Sequence, residues 1–177
     1  DMIPVLSYIM LKGKCRYCGA KIPAEYLELL TAAVFTVLFG FYGLSVPFFA
    51  FAYLMIILIA VLFIDIRHRI IPNGLVLAGL AGGAVFFALN LFRPFEEIFG
   101  DDKWWTPLAG LFPGSVFLLL VAVLGSIIYK TDDAMGMGDV KLMAAVGIFL
   151  GWRLCLAALF ISVILGGLVS VFLILFR

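Results

Sequence analysis

The sequence predicts an all-α fold, a polytopic membrane bundle of about six transmembrane helices with a G-x-G-D loop at the start of a short fifth helix. Three observations carry that prediction. Of 177 residues, 66% are hydrophobic and 13% charged, with a mean hydropathy of +1.24, more apolar surface than a soluble core absorbs. The apolar residues come in long runs, separated by short breaks rich in glycine, proline and charge. The basic residues gather in alternate breaks, as loops on one face of a bilayer do.

Residues 1–25 read as a polar segment lying in water, with Lys12, Lys14, Arg16 and Lys21 set against Asp1 and Glu25; residues 26–177 form the membrane-embedded domain. The chain begins at Asp1 and shows no signal peptide, so it reads as a fragment or an engineered chain. Tyr26 to Phe41 is the first span; the break Gly43-Leu44-Ser45-Val46-Pro47 turns the chain, and Phe48 to Ile64 is the second. Arg67, Arg69, Pro72, Asn73 and Gly74 end that span, with proline lacking a helical donor and Asn73 able to cap the third, Leu75 to Leu91.

Residues 93–105 carry Arg93, Glu96, Glu97, Asp101, Asp102 and Lys103 and read as an acidic external loop. Trp104 and Trp105 read as interface anchors and Thr106-Pro107 as a helix start. The fourth span reaches Ile128, and Tyr129 and Lys130 mark its far interface. The fifth apolar run, Val140 to Leu150, ends at Gly151-Trp152-Arg153, and the sixth runs from Leu154 to Phe176. Eleven residues of helix rise roughly 17 Å against a hydrocarbon core of roughly 30 Å, so the fifth run does not cross alone. Either the loop before it dips into the membrane or a wet cavity lies above it.

Orientation follows from charge. One face collects Lys12, Lys14, Arg16, Lys21, Arg67, Arg69, Lys130, Lys141 and Arg177, the other Arg93, Lys103 and Arg153. That imbalance puts the amino-terminal face in the cytoplasm. Asp65 and Asp139, the two acids embedded in apolar sequence, then share one depth at the cytoplasmic ends of their spans. An ionisable group there is costly and marks a candidate functional site. The net charge of +1 carries no signature of a nucleic-acid partner.

Two carboxylates close together in a low-dielectric site do not both ionise cheaply; they share one proton and supply a general base and a general acid together. Gly136 and Gly138 permit unusual backbone angles and close approach of a substrate chain. Were Asp139 at a helix amino end, the dipole would favour its charged form against desolvation. The residues alone leave other roles open: Asp139 as a plain helix cap, Asp65 paired with Arg69 one turn on, and His68 solvated between arginines. Cys155 reads as a small packing residue.

Gly136 to Trp152, GMGDVKLMAAVGIFLGW, resembles the G-x-G-D region of the bacterial type IV prepilin peptidases. Phe63 to Asn73, FIDIRHRIIPN, resembles that family's other catalytic stretch, and Asp1 to Ala20 its cytoplasmic loop before the second C-x-x-C. The resemblance implies an intramembrane aspartyl endopeptidase in the bacterial cytoplasmic membrane, with Asp65 and Asp139 catalytic. It implies prepilin and pseudopilin substrates of type IV pili and type II secretion, cut between Gly and Phe where a basic leader meets an apolar helix. Gly136, Gly138 and Lys141 are expected to support loop and substrate, Lys141 by helping the loop acids Asp132 and Asp133 to orient the basic leader. Many members also N-methylate the product with S-adenosylmethionine and carry two C-x-x-C pairs suggestive of zinc. Here Cys15 and Cys18 make one pair, half a zinc site, so zinc and S-adenosylmethionine are expected only with an amino-terminal portion upstream of Asp1. Ile22 to Glu28 departs from the commoner family pattern, a basic residue before the tyrosine and a longer run after it. Presenilin-like and signal-peptide-peptidase-like proteases fit less well, since Asp65 follows Ile64 and no Pro-Ala-Leu occurs. A proton- or ion-coupled transporter predicts repeated halves, which the sequence lacks, and a non-catalytic scaffold would leave both acids replaceable.

Overall fold

Inside a bilayer a backbone has no water to bond, so each apolar run closes its own hydrogen bonds as a helix. The computed structural model, which describes residues 10–12, 14–20, 27–99, 103–130 and 136–176, has α1 (Leu27–Tyr42), α2 (Val46–His68), α3 (Asn73–Phe92), α4 (Glu96–Phe99), α5 (Thr106–Tyr129) and α6 (Met137–Leu175). By length and composition α2, α3, α5 and α6 suffice to cross a membrane, and α1, of 16 residues, is a shorter apolar helix. The chain forms two compact units, Asp1–Phe48 and Phe49–Arg177.

In the first unit, α1 ends at Gly43, whose φ is 57° and whose N–H bonds Phe39 O at 2.8 Å. Ser45 then accepts the Phe48 N–H at 3.4 Å at the start of α2, and Phe39 and Phe48 meet edge to face at 6.1 Å. The break expected at residues 43–47 is this turn.

In the second unit small residues let helices touch, as membrane packing favours. A Cβ placed on Gly110 of α5 would fall on the Gly147 carbonyl of α6, and one on Gly147 would fall on the Gly110 carbonyl, so the two backbones are in direct contact. One turn on, a Cβ at Gly114 would lie 2.8 Å from Met143 Cε and 3.0 Å from Cys155 Sγ. In a straight helix residues 143 and 155 stand about 18 Å apart. Since both reach Gly114, α6 doubles back between them. The reversal is Gly151, with φ 68° and ψ 173°, a region that only glycine enters freely. The expected fifth and sixth spans are therefore the two arms of α6, 137–150 and 152–175, which lie antiparallel.

The first arm also packs parallel to α3. Gly79 faces Ala145, Gly83 faces Ile148, and Tyr53 of α2 lies over Gly82 with its hydroxyl donating to Ala78 O at 2.9 Å. Phe149, only 1% exposed, stacks on Phe86 at 5.8 Å and lies 6.3 Å from Tyr53.

The stretch expected as a polar loop carries an apolar underside. Phe95, Ile98 and Phe99 are buried around α4: Phe95 stacks on Phe86 at 5.2 Å, and Phe99 covers Gly151, where an added Cβ would meet its Cδ1 at 2.8 Å. Glu96 stays exposed. Trp104 and Trp105 are exposed beside the start of α5, with Lys103 over the Trp105 ring at 5.5 Å and Arg153 over Trp152 at 5.3 Å. Asn90, 2% exposed, is the buried polar group that holds this segment down, its Oδ1 accepting the Phe95 N–H at 3.0 Å. Replacing Asn90 with Leu is expected to orphan that N–H and to destabilise the chain by about 1–3 kcal/mol, read as a lower thermal midpoint in detergent.

Candidate functional site

Asp65 sits in the last turn of α2 and Asp139 in the first turn of α6. The expectation put the whole G-x-G-D sequence in a loop. The helix instead begins three residues before the apolar run: Gly136, at φ −63° and ψ 122°, is the capping residue, and Met137, Gly138 and Asp139 are already helical. Asp139 is thus the third helical residue rather than the cap, its N–H bonded to Gly136 O at 3.1 Å. Its carboxylate turns back, with Oδ2 3.5 Å from the point where a Gly136 side chain would begin. A carboxylate there faces the positive end of the helix dipole.

Asp65 and Asp139 are close enough that the charge of one acts on the other. Both are exposed, hence open to water or substrate from the unit that carries them. The turn between α2 and α3 follows Asp65 directly and touches residues on either side of Asp139. Arg69 leaves α2 in the left-handed conformation, φ 55°, with its N–H on Asp65 O at 2.7 Å, and Pro72 precedes α3 at φ −65°. Asn73 does not cap α3 as expected: Pro72 holds the capping position without a side-chain bond. The Asn73 side chain reaches across instead, its Oδ1 accepting a hydrogen bond from Lys141 Nζ at 3.3 Å. Gly138 packs on Ile71.

Of the residues singled out in the sequence, the structure thus gathers Asp65, Asp139, Gly136, Gly138 and Lys141 at one end of the second unit. Gly151 and the tryptophans lie toward the other. His68 is exposed. Asp132 and Asp133, and residues 22–26 of the segment that departs from the family pattern, lie outside the described residues. Ile71 and Asn73 were missed as parts of the site. Asn73 was read only for its capping chemistry, and no local pattern pairs it with a lysine 68 residues away.

Cys15 and Cys18 belong to the first unit. The Cys15 N–H bonds Ala20 O at 2.8 Å, and the Gly19 N–H bonds Cys15 O at 3.0 Å. The backbone N–H groups of Cys18 and Tyr17, then the Cys18 thiol, direct hydrogen bonds at the Cys15 sulfur and hold its thiol below the usual cysteine range. Such a turn suits a thiolate ligand pair, but two thiols are half of a tetrahedral zinc set. Among the described residues no group of three or more His, Cys, Asp or Glu side chains completes it.

Comparison with known proteins gives a consistent result. The model of the Type IV leader peptidase family matches residues 52–171, and that of the Bacterial Peptidase A24 N-terminal domain matches residues 1–42. A prepilin leader peptidase/N-methyltransferase of Bacillus subtilis (strain 168) is 34% identical over 170 residues, covering 95% of this chain and 62% of that protein. The protein of the same name from Aeromonas salmonicida (strain A449) is 35% identical over 180 residues, covering 100% of this chain and 58% of its own length. That of Myxococcus xanthus (strain DK1622) is 31% identical over 178 residues, covering 99% and 50%. The chain therefore spans between half and two thirds of these relatives. No solved structure gives a significant match. The transporter and scaffold alternatives receive no support from any of these matches.

Proposed function

Because the chain belongs to the Type IV leader peptidase family, we propose that it is a prepilin leader peptidase of the aspartic type, with Asp65 and Asp139 as its catalytic pair. The observation that carries the reading is the approach of two carboxylates, 74 positions apart in the chain, to within range of each other's charge at one end of the second unit. Two acids set in otherwise apolar sequence are costly, and shared proton transfer is the reward that fits them.

In the proposed hydrolysis one carboxylate takes a proton from a water as its oxygen adds to the peptide carbonyl carbon. The other, protonated, donates to the carbonyl oxygen. The resulting diol collapses: the carbon–nitrogen bond breaks as the leaving nitrogen takes the proton from the carboxyl that had accepted it, a diol hydroxyl returns a proton to the other carboxylate, and one acid and one amine are released. The substrate class is a chain with a short basic leader, a Gly-Phe junction and an apolar helix, as in type IV prepilins and type II secretion pseudopilins. The membrane is the bacterial cytoplasmic membrane, and the charge distribution of the loops supports a site facing the cytoplasmic side.

Incubation of the chain in bilayers with a prepilin-like peptide of that design is expected to release a leader ending in Gly, identified by mass spectrometry. An intact peptide after prolonged incubation overturns the reading. The proposal covers proteolysis; N-methylation with S-adenosylmethionine and a complete zinc site are outside it. Accordingly, Cys15→Ser with Cys18→Ser is expected to leave the cleavage rate within about twofold of the parent, since the proposed proton transfers use only the two carboxylates. A larger loss would assign the Cys15–Cys18 turn a part in proteolysis.

A further inference from the structure

We infer that Ile71 and Asn73, in the turn between α2 and α3, are positioning residues that seat the first turn of α6 so that Asp139 meets Asp65. The inference takes its activity readout from the leader-peptidase reading and the rest from geometry.

Two contacts of different chemistry bracket Asp139. Just before it, a Cβ on Gly138 would lie 2.9 Å from Ile71 Cβ, 3.3 Å from Cδ1 and 3.4 Å from Cγ1. The nearest of these atoms is fixed by the Ile71 backbone, so no rotamer change makes room for it. Just after it, Lys141 Nζ donates to Asn73 Oδ1 at 3.3 Å. The turn that supplies both partners is tied to the other acid through the Arg69 N–H on Asp65 O at 2.7 Å. Its far end is ordered by Pro72, whose carbonyl accepts from Leu75 N at 3.1 Å and Val76 N at 3.3 Å. Residues 69–73 therefore act as a spacer between the two carboxylates, with one end on Asp65 and the other holding the residues on either side of Asp139. On this account the second glycine of the G-x-G-D sequence is required by Ile71, where the sequence had suggested room for a substrate chain.

The two roles separate in kinetics. Misplaced reacting groups lower kcat, whereas a blocked approach of substrate raises KM. Gly138→Ala is expected to lower kcat about 100-fold with KM little changed, the scale of a displacement near 1 Å at reacting groups. Adding Ile71→Gly removes all three opposing atoms and is expected to recover at least about tenfold of that loss. Adding Ile71→Ala keeps the nearest atom and recovers less. Asn73→Leu and Lys141→Met are each expected to lower kcat about tenfold, and the double variant no further, since they remove one shared bond. The thermal midpoints of the Gly138 and Ile71 variants, measured in detergent without substrate, should fall and recover in the same order.

Parent-level cleavage by Gly138→Ala, a loss in KM alone, no rescue by Ile71→Gly, or additive losses at Asn73 and Lys141 would each overturn the inference. A parent chain that cleaves nothing while the midpoints follow the expected order overturns the peptidase reading and supports the seat.

Discussion

Chains carrying Asp65→Asn or Asp139→Asn, folded in a bilayer, are expected to cleave a prepilin-like peptide at least about 10³-fold more slowly than the parent, within the range that general acid or base catalysis supplies. Asparagine keeps the size and polarity of the side chain and loses the ability to hold or release a proton near neutral pH. In the proposed hydrolysis each acid has one task that the other cannot perform while performing its own. The double variant should for the same reason be about as slow as the slower single one, since groups acting as a unit give non-additive losses. Initial rates from quantified leader peptide, with circular dichroism as the check on folding, decide the matter. A single variant that keeps the parent rate removes that residue from the catalytic pair.

The second large effect concerns the contact of α5 with α6. Gly147→Ala is expected to destabilise the chain by at least about 3 kcal/mol, at the upper end of overpacking costs, because the added methyl meets a backbone carbonyl that no rotamer change can move. The helices must separate, which loosens Gly114 against Met143 and Cys155 as well. Gly166→Ala is the control. A Cβ there meets nothing within 4 Å, and alanine in mid-helix is favoured over glycine by about 1 kcal/mol. Thermal unfolding in a mild detergent should therefore move in opposite directions for two chemically identical changes, one in each arm of α6. Equal shifts would contradict the backbone contact.

The spans were legible because hydropathy in a membrane chain is a direct record of the solvent. The two acids were legible because charge in an apolar run is conspicuous, and the pairing of their ends followed from counting basic loops. Other features depended on partners remote in the sequence. The start of α6 at Met137 was placed late because a glycine-rich polar stretch reads as a loop, although three of its residues continue the helix. The burial of Phe95, Ile98 and Phe99 had a local signal, apolar residues at i, i+3 and i+4, masked by the acids around them. That Gly110 would face Gly147 among 18 glycines, or that Asn73 would meet Lys141 and not cap its own helix, is written in no local pattern.

The register of α5 against the first arm of α6 also fixes a depth. Gly110 stands beside Gly147 and Gly114 beside Met143, so Asp139 stands level with about residue 118, and the apolar part of α5 runs on for roughly 15 Å beyond it to Ile128. α2 ends and α3 begins near the level of the carboxylates, whereas α5 and the second arm of α6 continue past them as a two-helix parapet. Within the second unit the acids stand on a step, below the ends of its longest helices. For the proposed cleavage, protons, water and the bond to be cut must all be brought down to that step, so local thinning of the lipid beside it is expected to speed turnover.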